Sequence, residues 1–445
     1  MKKLVAALII VLAIFLRTYD LNNNPPGVYV DEAAIGYNTY SFLETGKDEY
    51  GKTFPIFLKS IGAYSSAAYS YASILPVKLF GLTPFATRIV SSIAGISLVI
   101  LVLKYLGPVP ALVLAVSPIF VFLSRSASEA NLALTIFMLG FFLSLKAKTN
   151  PRLLIPGFLA FALSAYAYRT EQLLSLVFIA YFSFIYLKSK KARPIVVLST
   201  ILTLTLLLPL FVVSLTPGGS SRSLGLLVDA PITHKIIVFV RHYLAYFSPN
   251  NLFSKPDPDL QRSFPELSVF YWFFLIPFIF GLKKLFKNRA FLILALVSPI
   301  PGALTLDYFS TIRALPLFLV FAWTISEGLK ILIQKRTFLY VIITIFCVTE
   351  LYSNMVLLKQ ERSTIWNYEY KALANFVKEN PGSHLVIDNS RQKPVKTLLQ
   401  FLNKMDPKKF HSTNVEDYYS DTSYNPNQSF DNLEIRPIYW KEDIY

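Results

Sequence analysis

Two adjacent carboxylates, Asp31 and Glu32, stand in the stretch PPGVYVDEAAIGYNTY, residues 25–40, which is otherwise uncharged and rich in aromatic residues. Acids in such a place do one of two things. They take a proton from a reacting hydroxyl as a general base, or they start a helix, where the backbone dipole favours an anion. Both readings stay open on these residues alone. The cations that could complement them come later: Arg125 with Glu129 in SRSASEANL, Arg169 with Glu171 in AYRTEQLL, Lys255 and Arg262 with Asp257 and Asp259 in FSPNNLFSKPDPDLQRSFPELS, and Arg313 in STIRALPLFL. Lys59 lies between Glu49 and the serine-tyrosine run 64–71. Singly, each is explained by topology or by helix pairing. As a set, carboxylates and guanidinium forks at one level can hold a phosphate while a hydroxyl beside it is deprotonated.

The elements that must position these groups are membrane helices. The 445 residues are 54% hydrophobic and 16% charged, with a mean hydropathy of +0.48, whereas soluble domains carry roughly 25% charged residues. The net charge of +16 would suggest nucleic acid in a soluble protein. Here Lys and Arg cluster in short segments between apolar runs, which is how membrane topology is written, so a nucleic-acid partner is excluded. The single cysteine, Cys347, sits in an apolar run and allows neither an intramolecular disulfide nor a thiolate metal cluster.

Runs long enough to cross the hydrocarbon core, about 20 residues each, fall near 3–18, 86–106, 108–124, 129–147, 152–168, 171–189, 194–215, 268–286, 289–306, 313–333 and 337–356. The first, MKKLVAALIIVLAIFLRTYD, begins like a signal peptide, but no small-residue cleavage site follows Phe15 before Arg17, so it is expected to stay as a helix. With Lys2 and Lys3 inside, the inside connections hold Lys104, KAKTNPR, KSKKAR, KKLFKNR and QKR, each of them basic. The long connections 17–85 and 216–267, and the tail, then lie outside. The chain is therefore predicted to be an all-α polytopic plasma-membrane protein of about 11 spans, with a cytoplasmic N-terminus and a structured first outer loop. Its predicted division is a transmembrane domain over 1–357 and a small α/β extracytoplasmic domain over 358–445, where helix, the strand HLVID and the helix PVKTLLQFLNKM follow one another. In the first loop, YNTYSFLETGKDEYGK is predicted to be helical up to Gly46. AYSSAAYSYASILPVKLFG is predicted as a second helix with its tyrosines at headgroup level. The last stretch, YYSDTSYNPNQSFDNLEIRPIYW, has no usable period. No GxxxxGK[ST] motif is present, and the charged face is external, so chemistry driven by ATP is excluded.

The order of DEAAIGY after the first helix, SRSASEANLAL before the fourth, YRTEQLL after the fifth, FSPNNLFSKPDPDLQRSFPELSVFY before the eighth, and SPIPGALTLDYFSTIRALPLFLVFAW across the ninth and tenth resembles the GT-C glycosyltransferases. The branch it is most similar to comprises bacterial relatives of the dolichyl-phosphate-mannose protein mannosyltransferases, including the lipid A aminoarabinose transferases. The resemblance implies transfer of a sugar, with inversion, from a polyprenyl-phosphate carrier at the outer leaflet to an acceptor hydroxyl of a protein, lipid or glycan. It implies Asp31 as the essential first-loop acid, with Glu32 second, and Arg313, Arg262, Arg125, Arg169, Lys255 and Lys59 as candidates for the donor phosphate. The aminoarabinose branch carries a Lys-Pro-Pro motif where this chain has SSAAYSY, residues 65–71. No covalent enzyme intermediate is required and no cofactor is assigned; the oligosaccharyltransferase branch uses a DxD-type metal site and Asp257-Pro258-Asp259 has those letters, so a divalent metal stays open. A lipid-linked saccharide flippase or a surface-glycan ligase or polymerase is the competing reading. A transporter should carry charge at mid-span, and a ligase should keep its main loop late in the chain.

Overall fold

The computed structural model describes residues 2–60, 63–220, 231–334, 336–390, 394–411, 418–420, 425, 427–441 and 443. A helix α1 (Lys2–Thr18) leads into a long connection before the bundle proper, named the outer segment after its expected side, of α2 (Val30–Thr45), a hairpin of β1 (Phe57–Ser60) and β2 (Ala63–Ser66), and α3 (Ala68–Phe80). A bundle follows: α4 (Pro84–Tyr105), α5 (Pro108–Val116), α6 (Pro118–Ser124), α7 (Glu129–Lys146), α8 (Leu154–Ala167), α9 (Arg169–Tyr186) and α10 (Arg193–Ser214). The second long connection holds α11 (Pro217–Ser220), α12 (Ile232–Ala245) and α13 (Pro249–Phe253). The bundle resumes with α14 (Leu275–Lys287), α15 (Arg289–Val297), α16 (Ile300–Ala303), α17 (Leu315–Ile333) and α18 (Phe338–Glu361).

Among the described residues five helices, α4, α7, α10, α17 and α18, are long and apolar enough to cross a membrane. Wide apolar faces are left uncovered, such as Val197, Leu198, Ile201 and Leu208 on α10 and Phe338, Val341, Ile342 and Ile345 on α18. A soluble chain does not expose faces of this size, whereas hydrocarbon solvates them. Helix is found within every apolar stretch read from the sequence, but not always as one rod. The stretch 108–124 breaks where Ser117, at φ −69° and ψ 130°, precedes Pro118, because a residue before proline is driven out of the helical region. Within 289–306 the break falls between α15 and α16, beside Pro299. Close packing inside the bundle depends on small residues: a Cβ at Gly281 of α14 would lie 1.9 Å from the Thr324 carbonyl oxygen of α17.

In the outer segment α2 ends at Gly46, which takes the left-handed conformation at φ 71°. The expected second helix is shorter than its apolar composition suggested: residues 63–66 pair with 57–60 as strands instead. Two of its tyrosines, Tyr64 and Tyr69, are buried in the protein instead of lying along a headgroup layer. The Tyr69 hydroxyl donates to the Thr87 carbonyl at 2.9 Å, since a buried phenol needs an acceptor.

The tail forms α19 (Tyr370–Glu379), β3 (Leu385–Ile387), α20 (Val395–Asn403), β4 (Gln428–Phe430) and β5 (Leu433–Ile435), with sheet order β3-β5-β4. Ala374, Val377, Val395, Leu399, Leu433 and Ile435 are its core. Leu398 and Phe401 of α20 instead join Val28, Ala33 and Tyr37 at the start of the outer segment. The tail thus braces α2.

Candidate active site

A cavity of about 410 Å³ opens where the first turns of α2, α7 and α9 meet the hairpin and the loops 259–262 and 304–313. Its polar lining includes Asp31, Glu129, Arg169, Asp259, Arg262 and Arg313. Residues far apart in sequence, Asp31 and Arg313 among them, are therefore brought to one chamber.

Asp31 occupies the first turn of α2, whose positive dipole end suits a carboxylate. It is exposed to the chamber and has no hydrogen-bond or ion-pair partner among the described residues. Its neighbour Glu32 points the other way and is buried. Arg88, fully buried in α4, holds Glu32 with Nε at 3.0 Å from Oε1 and Nη2 at 2.8 Å from Oε2, and the Ala127 amide donates to Oε1 at 2.8 Å. The same guanidinium donates to the carbonyls of Leu21, Pro25 and Gly27. One residue pair therefore ties the turn before α2, the start of α4 and the α6–α7 connection together. Tyr29, edge-on to Trp366, has its phenol pushed well above the ordinary value, first by burial and then by Asp31, Glu32 and Glu129.

Two further guanidinium groups line the chamber, each paired with acids. Arg262 pairs through Nε with Asp259 at 3.1 Å and through Nη1 with Asp307 at 3.4 Å, and it donates to the Ser310 hydroxyl at 2.9 Å. Burial lowers its pKa, but Asp259, Asp257, Tyr168 and Asp307 outweigh that and hold it above the ordinary arginine value. Arg313 pairs through Nη1 with the same Asp307 oxygen at 2.8 Å and bonds the Thr305 hydroxyl. Its Nε and Nη2 make no hydrogen bond to any described residue, so they remain available to a ligand. Asp257 lies buried beneath. Its Oδ2 accepts from the Thr311 amide and hydroxyl, each at 2.7 Å, and its Oδ1 accepts from the Asp259 amide at 2.8 Å. With both oxygens engaged, Asp257 is an anchor for the arginine-bearing loops. Among the described residues no three His, Cys, Asp or Glu side chains are grouped to hold a metal ion.

Of the residues singled out from sequence, Asp31, Arg169, Arg262 and Arg313 line the chamber, and Glu32, Arg125, Lys255 and Lys59 do not. Arg125 is buried, donating to the carbonyls of Leu16, Tyr19 and Asn24. Lys255 is exposed on its loop. The Lys59 ammonium lies 5.4 Å from the Tyr50 ring centroid. The reading missed Asp307, which bridges the two arginines, and Arg88. Asp307 was visible as the one acid in LDYFSTIR, and Arg88 as the one charge in the first turns of its apolar run.

No protein-family model matches the chain, and no curated protein sequence matches it. Solved structures do. ArnT from Cupriavidus metallidurans in its apo state superposes with a TM-score of 0.55 over 89% of this chain and 84% of that one, at 10% identity. The chain has the GT-C fold. The same protein bound to undecaprenyl phosphate gives a TM-score of 0.50 over 89% and 74%, at 12% identity. The bundle carries the chamber, and the segment between α1 and α4 contributes to its lining.

Proposed function

We propose that the chain is an integral membrane glycosyltransferase. It transfers a sugar from a polyprenyl-phosphate donor to an acceptor hydroxyl on the outer face of the plasma membrane, and the N-terminus is cytoplasmic. The observation that carries this reading is the division of one chamber into an unpartnered carboxylate, Asp31, and an arginine wall, Arg262 and Arg313. The GT-C fold supports it, and the similar ArnT structure bound to undecaprenyl phosphate supports the donor class.

In this account Asp31 takes the proton of the acceptor hydroxyl as its oxygen attacks the anomeric carbon. The bond from that carbon to the carrier phosphate breaks on the opposite face, so configuration inverts and no enzyme-bound sugar forms. The leaving phosphate gains negative charge, which the free Nε and Nη2 of Arg313, Arg262 beside it and Arg169 neutralise. Glu32 is not the base here: bidentate to Arg88, it fixes the helix start from which Asp31 projects. Arg125, Lys255 and Lys59 serve the framework or the surface instead of the phosphate. The transmembrane part is assigned to 1–357 with about 11 spans and the outer unit to 358–445.

The reading is tested with purified protein and a panel of polyprenyl-phosphate sugars. Release of carrier phosphate that depends on an added acceptor, with inverted anomeric configuration in the product, supports it. Donors that stay intact across the panel, or a product of retained configuration, would sink it.

A further inference from the structure

The tail segment without a readable period, YYSDTSYNPNQSFDNLEIRPIYW, begins with two tyrosines that enter the outer segment. The Tyr419 hydroxyl accepts from the amides of Ile56 at 2.8 Å and Phe57 at 3.4 Å, and the Tyr418 hydroxyl accepts from the amide of Lys59 at 2.9 Å. Phe57 and Lys59 belong to β1, whose other edge pairs with β2. The phenols thus satisfy a strand edge that no other strand covers among the described residues. The Tyr418 hydroxyl in turn donates to the buried Asp48 carboxylate.

The main-chain oxygens of the pair are used as well. The Tyr64 hydroxyl donates to the Tyr418 carbonyl, and the Gly218 amide donates to the Tyr419 carbonyl at 2.6 Å. The second of these bonds brings the tail against α11. The approach leaves no room there: a Cβ at Gly218 would lie 2.6 Å from both the Tyr419 carbonyl oxygen and the Tyr64 ring.

Arg169, which lines the chamber, is held by these same pieces. It donates through Nη2 to the Tyr64 carbonyl at 3.1 Å and through Nη1 to the Gly219 carbonyl at 2.5 Å, and its guanidinium carbon lies 4.7 Å from the Phe57 ring centroid. Each of these three supports is bonded to the tyrosine pair or adjoins a residue that is. We propose that Tyr418 and Tyr419 are positioning residues for the chamber. They clamp the hairpin to Gly218 and Gly219, and so fix both the Arg169 guanidinium and the wall formed by Ser60, Ser65 and Ser66. As regards donor binding, this rests on the glycosyl-transfer reading above; the clamp itself does not.

The test uses the full-length protein in detergent with Tyr418→Phe, Tyr419→Phe and the double variant, which keep the rings and remove the hydroxyls. Hydrogen exchange over residues 56–66 is expected to quicken by about tenfold per hydroxyl lost. Gly218→Ala, which pushes the clamp apart from the other side, is expected to do the same, and Tyr439→Phe, an exposed tail control, to change nothing. With an accepted donor, KM is expected to rise several-fold in the double variant while kcat changes less, which mere loss of folded protein would not produce. Unchanged exchange over 56–66 in the double variant overturns the clamp. Faster exchange with unchanged KM overturns its positioning role. The exchange measurement decides the clamp even if no donor is turned over, so the two readings fail separately.

Discussion

Arg88→Met is expected to be among the most damaging single substitutions in the protein, although Arg88 does not line the chamber. The change strips Glu32, 1% exposed, of both its guanidinium bonds and leaves it the Ala127 amide alone. A buried charge stranded in this way costs about 3–5 kcal/mol. The carbonyls of Leu21, Pro25 and Gly27 lose their donor as well, at roughly 1 kcal/mol each. Adding Glu32→Gln removes the stranded charge but not the carbonyl losses. The double variant should therefore recover at least about 2 kcal/mol relative to the sum of the two single changes. Chemical unfolding of the four proteins in mixed micelles, followed by intrinsic fluorescence, closes the cycle. If the single effects simply add, to within about 0.5 kcal/mol, the pair is not coupled, and the argument that it anchors the start of α2 fails.

Two further outcomes follow from the arginine wall and its anchor. Arg313→Gln removes the donors left open to a phosphate and is expected to raise the donor KM by about 10- to 100-fold, while Lys255→Gln, exposed and outside the chamber, leaves it unchanged; steady-state kinetics with an accepted donor separates the two. Burial raises the Asp257 pKa against the opposing bonds from Thr311 and Asp259, so the folded state binds a proton more readily than the unfolded one. The stability this group contributes is present below the ordinary carboxylate range and is lost as pH rises through the raised value. Asp257→Asn should flatten that decline in pH-dependent unfolding.

The helices were legible in the sequence because a membrane span is written in composition over about 20 residues, and the end of α2 before Gly46 follows from a local rule. The break at Ser117 and the strands at 57–60 and 63–66 were less so, since each lies inside an apolar or aromatic run. In the site, Asp31 stood out because it is an acid in an uncharged stretch. Nothing local distinguishes it from Glu32: their different surroundings come from Arg88, 56 positions beyond Glu32. Arg125 and Arg169 look alike in sequence, each paired with a nearby Glu. The fold commits the first to three carbonyls beneath the outer segment and sends the second to the chamber wall. The tyrosine clamp lay in a stretch whose meaning is entirely long-range.

The central claim is that Asp31 takes the acceptor proton, and it is tested most directly by comparing wild type with Asp31→Asn in acceptor-dependent release of carrier phosphate from an accepted polyprenyl-phosphate sugar. The amide is isosteric and has no partner to lose among the described residues, so the fold should be unaffected while kcat falls by about 10²- to 10⁴-fold. An Asp31→Asn protein that releases the carrier as fast as wild type would contradict the account.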